Sequence, residues 1–141
     1  MKRMYATAVA ERLAAMRGYL RELQELGLGT LEAYLEDAKL RRAAERLLQL
    51  VVESASDAAR MLMLGLRRNP GPSHAACFHN MAQQRLLDRK LAQRLAEYAL
   101  VRNVVVHDYL VLDDEMLFAQ VRQAPEVFGQ FAEEVTQQLQ G

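Results

Sequence analysis

Apolar residues recur at three- and four-residue steps from Met4 to Leu26, where Val9, Leu13, Met16, Leu20 and Leu23 form one stripe. The chain is therefore predicted to open with an amphipathic helix. Gly27 and Gly29 stop it, and Thr30, with Glu32 in the following turn, is a natural cap for what comes next. Helical spacing then runs to Leu66 without an internal proline, which predicts either one long helix or two nearly collinear ones. The stretch Arg67-Arg68-Asn69-Pro70-Gly71-Pro72-Ser73 is the one clear loop cluster, and Ser73 is placed to cap a short helix reaching about Leu86. Asp88 is placed to cap a further helix carrying Leu91, Leu95, Leu100 and Val101. The cluster Asp113-Asp114-Glu115 starts a last one near residue 114, which Pro125 is expected to kink or restart. Repeats and linkers are absent, so the expected architecture is all-α: an antiparallel bundle of about five helices in a single domain spanning residues 1–141. The apolar run Met61-Leu62-Met63-Leu64 belongs to its core.

Composition strengthens this picture. Only 7 Gly and 3 Pro in 141 residues leave little turn chemistry for a multi-stranded sheet, and 51% hydrophobic with 26% charged residues excludes a disordered chain. Lys+Arg and Asp+Glu number 18 each, which argues against a general nucleic-acid coating protein. The charges are unevenly spread, with the stretch Ala38–Arg102 basic and the stretch from Asn103 to the end acidic apart from Arg122. Two readings are open: solvated helix faces that neutralise one another, or a polyanion site in the middle. The lone Cys77 excludes an internal disulfide and fits a reducing compartment. Glu11 and Arg12 interrupt the N-terminal apolar pattern before a signal-peptide core forms, so a cytoplasmic location is expected.

Candidate chemistry falls in two places. His74, Cys77 and His79 are metal-ligand types close together, but their spacing matches neither a zinc finger nor a two-histidine helical motif, so no metal and no cofactor are expected. The second place is richer. Leu91, Leu95, Tyr98, Arg102, Val105 and Tyr109 lie on one helical stripe, which puts a guanidinium on a line of apolar and aromatic positions. Arg102 there needs an anion, either a carboxylate of another helix or a phosphate that its planar fork engages. His107 sits on the adjacent stripe with Ala96, Leu100 and Asn103, as a hydrogen-bonded core group or as a proton-transfer catalyst.

The order Arg102-Asn103, three apolar residues, His107, one residue, Tyr109 resembles the signature of HEPN-domain ribonucleases, specifically the HepT-like toxins paired with minimal nucleotidyltransferase antitoxins. The segment from Arg42 to Glu53, with Asp57 one turn on, is similar to the corresponding helix of those toxins, and the likeness extends over about residues 31 to 139. The Pro125 interruption departs from the smoother final helix of that family.

The resemblance implies an endoribonuclease that needs no metal and acts as a toxin on RNA, with Arg102 and His107 as catalytic residues; Asn103 either orients substrate or imidazole or is a helix-surface amide. Glu53 and Asp57, on one helix face, either neutralise and orient motif residues or simply face solvent; Arg42 and Arg46 are equally open as lining of an RNA path. Residues five apart on an α-helix point about 140° from each other, so Arg102 and His107 of one chain do not face one phosphate. Either the helix loosens over Val104-Val105-Val106 or a twofold dimer combines two motifs, and the resemblance favours the homodimer. By the same resemblance, Tyr109 is the residue that the partner nucleotidyltransferase modifies with AMP; on the residues alone it equally packs at an interface. The competing expectation is a non-catalytic nucleotide-binding or scaffolding subunit of a nucleotidyltransferase. No DNA or membrane partner is expected.

Overall fold

The computed structural model describes residues 1–107 and 112–141, apart from the side chains of Val106 and His107. Within these residues all regular structure is helical: α1 (Arg3–Glu25), α2 (Leu31–Glu36), α3 (Ala38–Gly65), α4 (His74–Gln83), α5 (Arg89–His107) and α6 (Asp114–Gln140). The expected stripe of α1 is buried from Val9 to Leu23. Thr30 caps α2, its hydroxyl accepting the Ala33 N–H at 3.2 Å. The open choice after Thr30 resolves into a six-residue helix and a long one, because Asp37 adopts extended backbone and turns its carboxylate to the Leu40 N–H at 3.0 Å. That carboxylate satisfies an otherwise orphaned donor at the start of α3.

Ser73, Asp88 and Asp113 cap α4, α5 and α6 in the same manner, accepting from Ala76, Leu91 and Met116. α6 runs unbroken through Pro125 instead of restarting there. Val121, Ala124, Val127 and Phe128 on both sides of the proline are buried, so the same core packs against both halves of the helix.

α3 is the central element and touches every other helix, packing most extensively along α1. Met61 and Leu64 are half-buried and Leu62 and Met63 fully buried, which places the run in the core. Three aromatic pairs knit the helices: Phe78 with Phe131 at 5.9 Å, Tyr34 with Phe118 at 5.2 Å, and Tyr98 with Phe128 at 5.0 Å between ring centroids. Tyr98 also donates its hydroxyl to the Gln120 carbonyl at 2.6 Å, tying α5 to α6 one turn before Arg102. No helix among the described residues is long and apolar enough to cross a membrane.

Candidate active site

α3 turns a polar stripe towards the region where α4 and α5 meet. Gln49, Glu53, Ser56 and Arg60 follow one another at steps of four, three and four, so they share one face of the helix. Across from this stripe, the rigid part of α5 that carries Tyr98 projects Arg102. The guanidinium meets Glu53 with Nη2 at 2.6 Å and Nε at 3.2 Å, both on Oε1, and Nη1 donates to Asn103 Oδ1 at 3.1 Å. Gln49 donates to the same Glu53 oxygen at 3.1 Å. Sequence reasoning had named Arg102, Asn103 and Glu53; it missed Gln49, whose only signal was its four-residue step from Glu53.

The electrostatics follow from this arrangement. Burial alone pushes the Glu53 carboxyl up, but hydrogen bonds from Arg102 and Gln49 and the charges of Arg102 and Arg46 outweigh it and hold the group below the usual carboxylate range. Glu53 is therefore ionised at neutral pH and neutralises Arg102. An arginine has five N–H donors, and the three bonds described leave two, one on each terminal nitrogen. Arg102 and Asn103 also line a cleft of about 360 Å³ between α3, α4 and α5. The carboxylate partner and the cleft coexist at this one side chain: Glu53 fixes one edge of the guanidinium, and the other edge remains available for an anion.

The other sequence candidates separate into two groups. Arg46 is exposed but within electrostatic reach of Glu53. Asp57 is exposed one turn beyond Glu53 and makes no hydrogen bond or ion pair with the motif among the described residues. Arg42 is engaged elsewhere: its Nη1 bonds both carboxylate oxygens of Glu45, at 2.8 and 2.6 Å, about three turns from Glu53. The α5 backbone stays helical through His107, while the His107 side chain and the whole of Tyr109 lie outside the described residues.

His74 and His79 do not converge on Cys77. His74 lines the cleft beside Arg102, whereas His79 opens onto a different one with Arg89 and Gln93. Cys77 is buried, which pushes its thiol up to about 11 against the opposing charge of Arg60, so it is neutral and unsuited to nucleophilic attack near pH 7. Among the described residues no three His, Cys, Asp or Glu side chains are grouped to share a metal ion.

Comparison with known proteins decides the family. The sequence matches the family described as Ribonuclease HepT-like over residues 16–135. The chain belongs to the HepT-like family. A relative named tRNA nuclease HepT, from Aphanizomenon flos-aquae, is 24% identical over 131 residues, covering 93% of this chain and 89% of the relative. The fold agrees with that of a tri-AMPylated Shewanella oneidensis HEPN toxin in complex with its MNT antitoxin, at a TM-score of 0.85 and 22% identity over 96% of this chain and 98% of the toxin. A toxin-antitoxin structure with AMP-PNP matches at a TM-score of 0.83 and 22% identity, covering 96% of this HepT-like chain and 99% of the other. A Bacillus subtilis cytosolic protein of unknown function, YutE, shares the fold at a TM-score of 0.80 and 16% identity, over 94% of this chain and 89% of the other.

Proposed function

We propose that this HepT-like chain is a metal-independent endoribonuclease, the toxin of a two-component module. In this reading a partner nucleotidyltransferase silences it by transferring AMP to Tyr109. The observation that carries the reading is Arg102: a guanidinium oriented by Glu53, with two donors left over beside an open cleft, on the helix that ends in His107.

The chemistry needs two functions. A base removes the proton of the ribose 2'-hydroxyl so that its oxygen attacks the adjacent phosphorus, and an acid delivers a proton to the 5'-oxygen that leaves. Imidazole serves both near neutrality, which assigns these transfers to His107. The second function is to hold the negative charge that gathers on the phosphorane-like transition state, which falls to the free donors of Arg102. The products are a 2',3'-cyclic phosphate and a 5'-hydroxyl. Asn103 keeps one Nη1 hydrogen of Arg102 occupied and so fixes the rotation of the fork.

Because α5 is helical through His107, loosening of the helix over Val104–Val106 does not bring Arg102 and His107 together. We therefore adopt the other arrangement, a homodimer with a composite site, with which Leu100, 59% exposed on the same helix, is in keeping.

The test is cleavage of total RNA by the purified chain in the presence of EDTA, with mapping of product ends. Cyclic-phosphate ends, loss of at least about a hundredfold in activity in Arg102→Ala and His107→Ala, and an added AMP mass at Tyr109 after co-expression with the nucleotidyltransferase are expected. Strict magnesium dependence or full activity in His107→Ala refutes the mechanism. A chain that cuts no RNA but still binds the nucleotidyltransferase is instead a scaffolding subunit.

A further inference from the structure

The cleft beside Arg102 has a second wall that the cleavage chemistry does not use. α4, ten residues long, points its N-terminus into it. Ser73 Oγ takes the Ala76 N–H and the Ser73 carbonyl takes the Cys77 N–H, so the His74 and Ala75 amides have no acceptor among the described residues. The first turn of α4 contains no acidic residue to offset the positive end of the helix.

Opposite this turn, Ser56 is only 1% exposed, and its Oγ is buried without a hydrogen-bond partner among the described residues. A helical serine ordinarily returns its hydroxyl to a carbonyl one turn back, as Ser54 does to Leu50 at 2.6 Å. Leaving a buried hydroxyl unpaired costs free energy that a ligand recovers. Arg60, one turn beyond Ser56 and also on the cleft, has no carboxylate within salt-bridge distance among the described residues. None of the described residues lining the cleft is acidic.

Two free amides at a helix N-terminus, a buried orphan hydroxyl and an exposed guanidinium form a donor-rich site, which suits a phosphate. A volume of about 360 Å³ admits a phosphate together with part of its sugar. We propose that the cleft is a second phosphate subsite, in which Ser56, Arg60 and the His74 and Ala75 amides hold one phosphate while Arg102 at its edge addresses another. The phosphate has two sources, the one flanking the scissile phosphate in RNA or that of an AMP carried by the chain itself. The assignment to RNA rests on the ribonuclease reading above; the phosphate chemistry does not.

Titration of the intact protein with inorganic phosphate, followed by amide NMR, tests the site. Saturable shifts are expected at His74 and Ala75, with Ser56→Val and Arg60→Gln each weakening binding by at least about tenfold and the control Arg17→Gln leaving it unchanged. Arg60 is exposed, so Arg60→Gln keeps the test valid even if Ser56→Val disturbs the fold. Absent shifts, or binding indifferent to Arg60→Gln, overturn the subsite.

Cleavage of short oligonucleotides with and without a flanking phosphate separates the sources. If RNA supplies it, the flanking phosphate lowers KM in the native chain and not in Arg60→Gln, with kcat preserved. If the attached AMP supplies it, the α4 amides are already shifted in the AMP-modified protein and free phosphate no longer binds. A chain that shows these shifts yet cuts no RNA disproves the nuclease reading alone, whereas a chain that cuts RNA without them disproves the subsite alone.

Discussion

Arg102 is held by a carboxylate that would rise in pKa without it, and this mutual dependence is open to measurement. Burial raises the Glu53 carboxyl, and the Arg102 hydrogen bonds are the first of the effects that bring it below the ordinary range. In Arg102→Ala the burial persists while that bond and charge are gone, so the Glu53 carboxyl is expected to titrate at higher pH than in the native protein, as read by side-chain carboxyl NMR. The sign for stability follows. A carboxylate with a depressed folded pKa contributes fully above its unfolded value and loses that contribution as pH falls through the folded one. Arg102→Ala is thus expected to cost about 1–2 kcal/mol at neutral pH, and this difference shrinks in acid as Glu53 protonates in both proteins. A variant whose Glu53 titrates unchanged contradicts the pairing. The candidate site was partly legible at this scale: a cation on an apolar stripe demanded an anion, and Glu53 was among those named. Ser56 and Arg60 were not, because polar residues on an amphipathic helix read as solvent-facing until another helix covers them, and α4 lies about twenty residues away in sequence.

Helix starts were the most legible elements, since Thr30, Ser73, Asp88 and Asp113 carry the short oxygen side chains that reach back to orphaned N–H groups. Asp37 escaped notice because nothing around it breaks a helix; only its backbone conformation separates α2 from α3. Of the two expectations at Pro125, a kink or a restart, the restart does not occur. Local chemistry opposes a proline inside a helix by about 3 kcal/mol, but buried Val121, Ala124, Val127 and Phe128 hold α6 together across it. Restoring the missing N–H by Pro125→Ala is therefore expected to stabilise the fold by about 1–2 kcal/mol, less than the full penalty because the unfolded chain also gains freedom. Thermal denaturation followed by circular dichroism checks this, and a lower melting temperature would mean that the proline ring supplies packing that outweighs the lost hydrogen bond.

At the scale of the whole molecule the composite site makes a prediction that no single chain can satisfy. If Arg102 of one protomer works with His107 of its partner, mixing Arg102→Ala with His107→Ala creates heterodimers in which one site has both defects and the other has none. Half of the dimers in an equal mixture are mixed, and half of their sites are intact, so about a quarter of the native activity is expected to return. No recovery after refolding or co-expression points to both residues acting from one chain. The long basic stretch read from the sequence also looks different once folded: Arg42 faces Glu45 at 2.6 Å, Arg41 lies 3.8 Å from Asp114, and Arg102 is tied to Glu53. Arg102, the side chain proposed to meet the phosphate, is one of these three paired cations, and this bears on how RNA would be captured. Few counterions are displaced when a nucleic acid meets guanidinium groups that have partners, so the logarithm of affinity for a non-cleavable RNA is expected to fall with the logarithm of salt concentration at a slope of only about −1 to −2. Fluorescence anisotropy between dilute and physiological salt measures it, and a slope near about −5 would require a broad basic surface. Under the ribonuclease reading, such a site loses less of its hold on RNA with rising ionic strength than a broad basic surface would, because the fit of phosphates into a formed cleft adds to the charge.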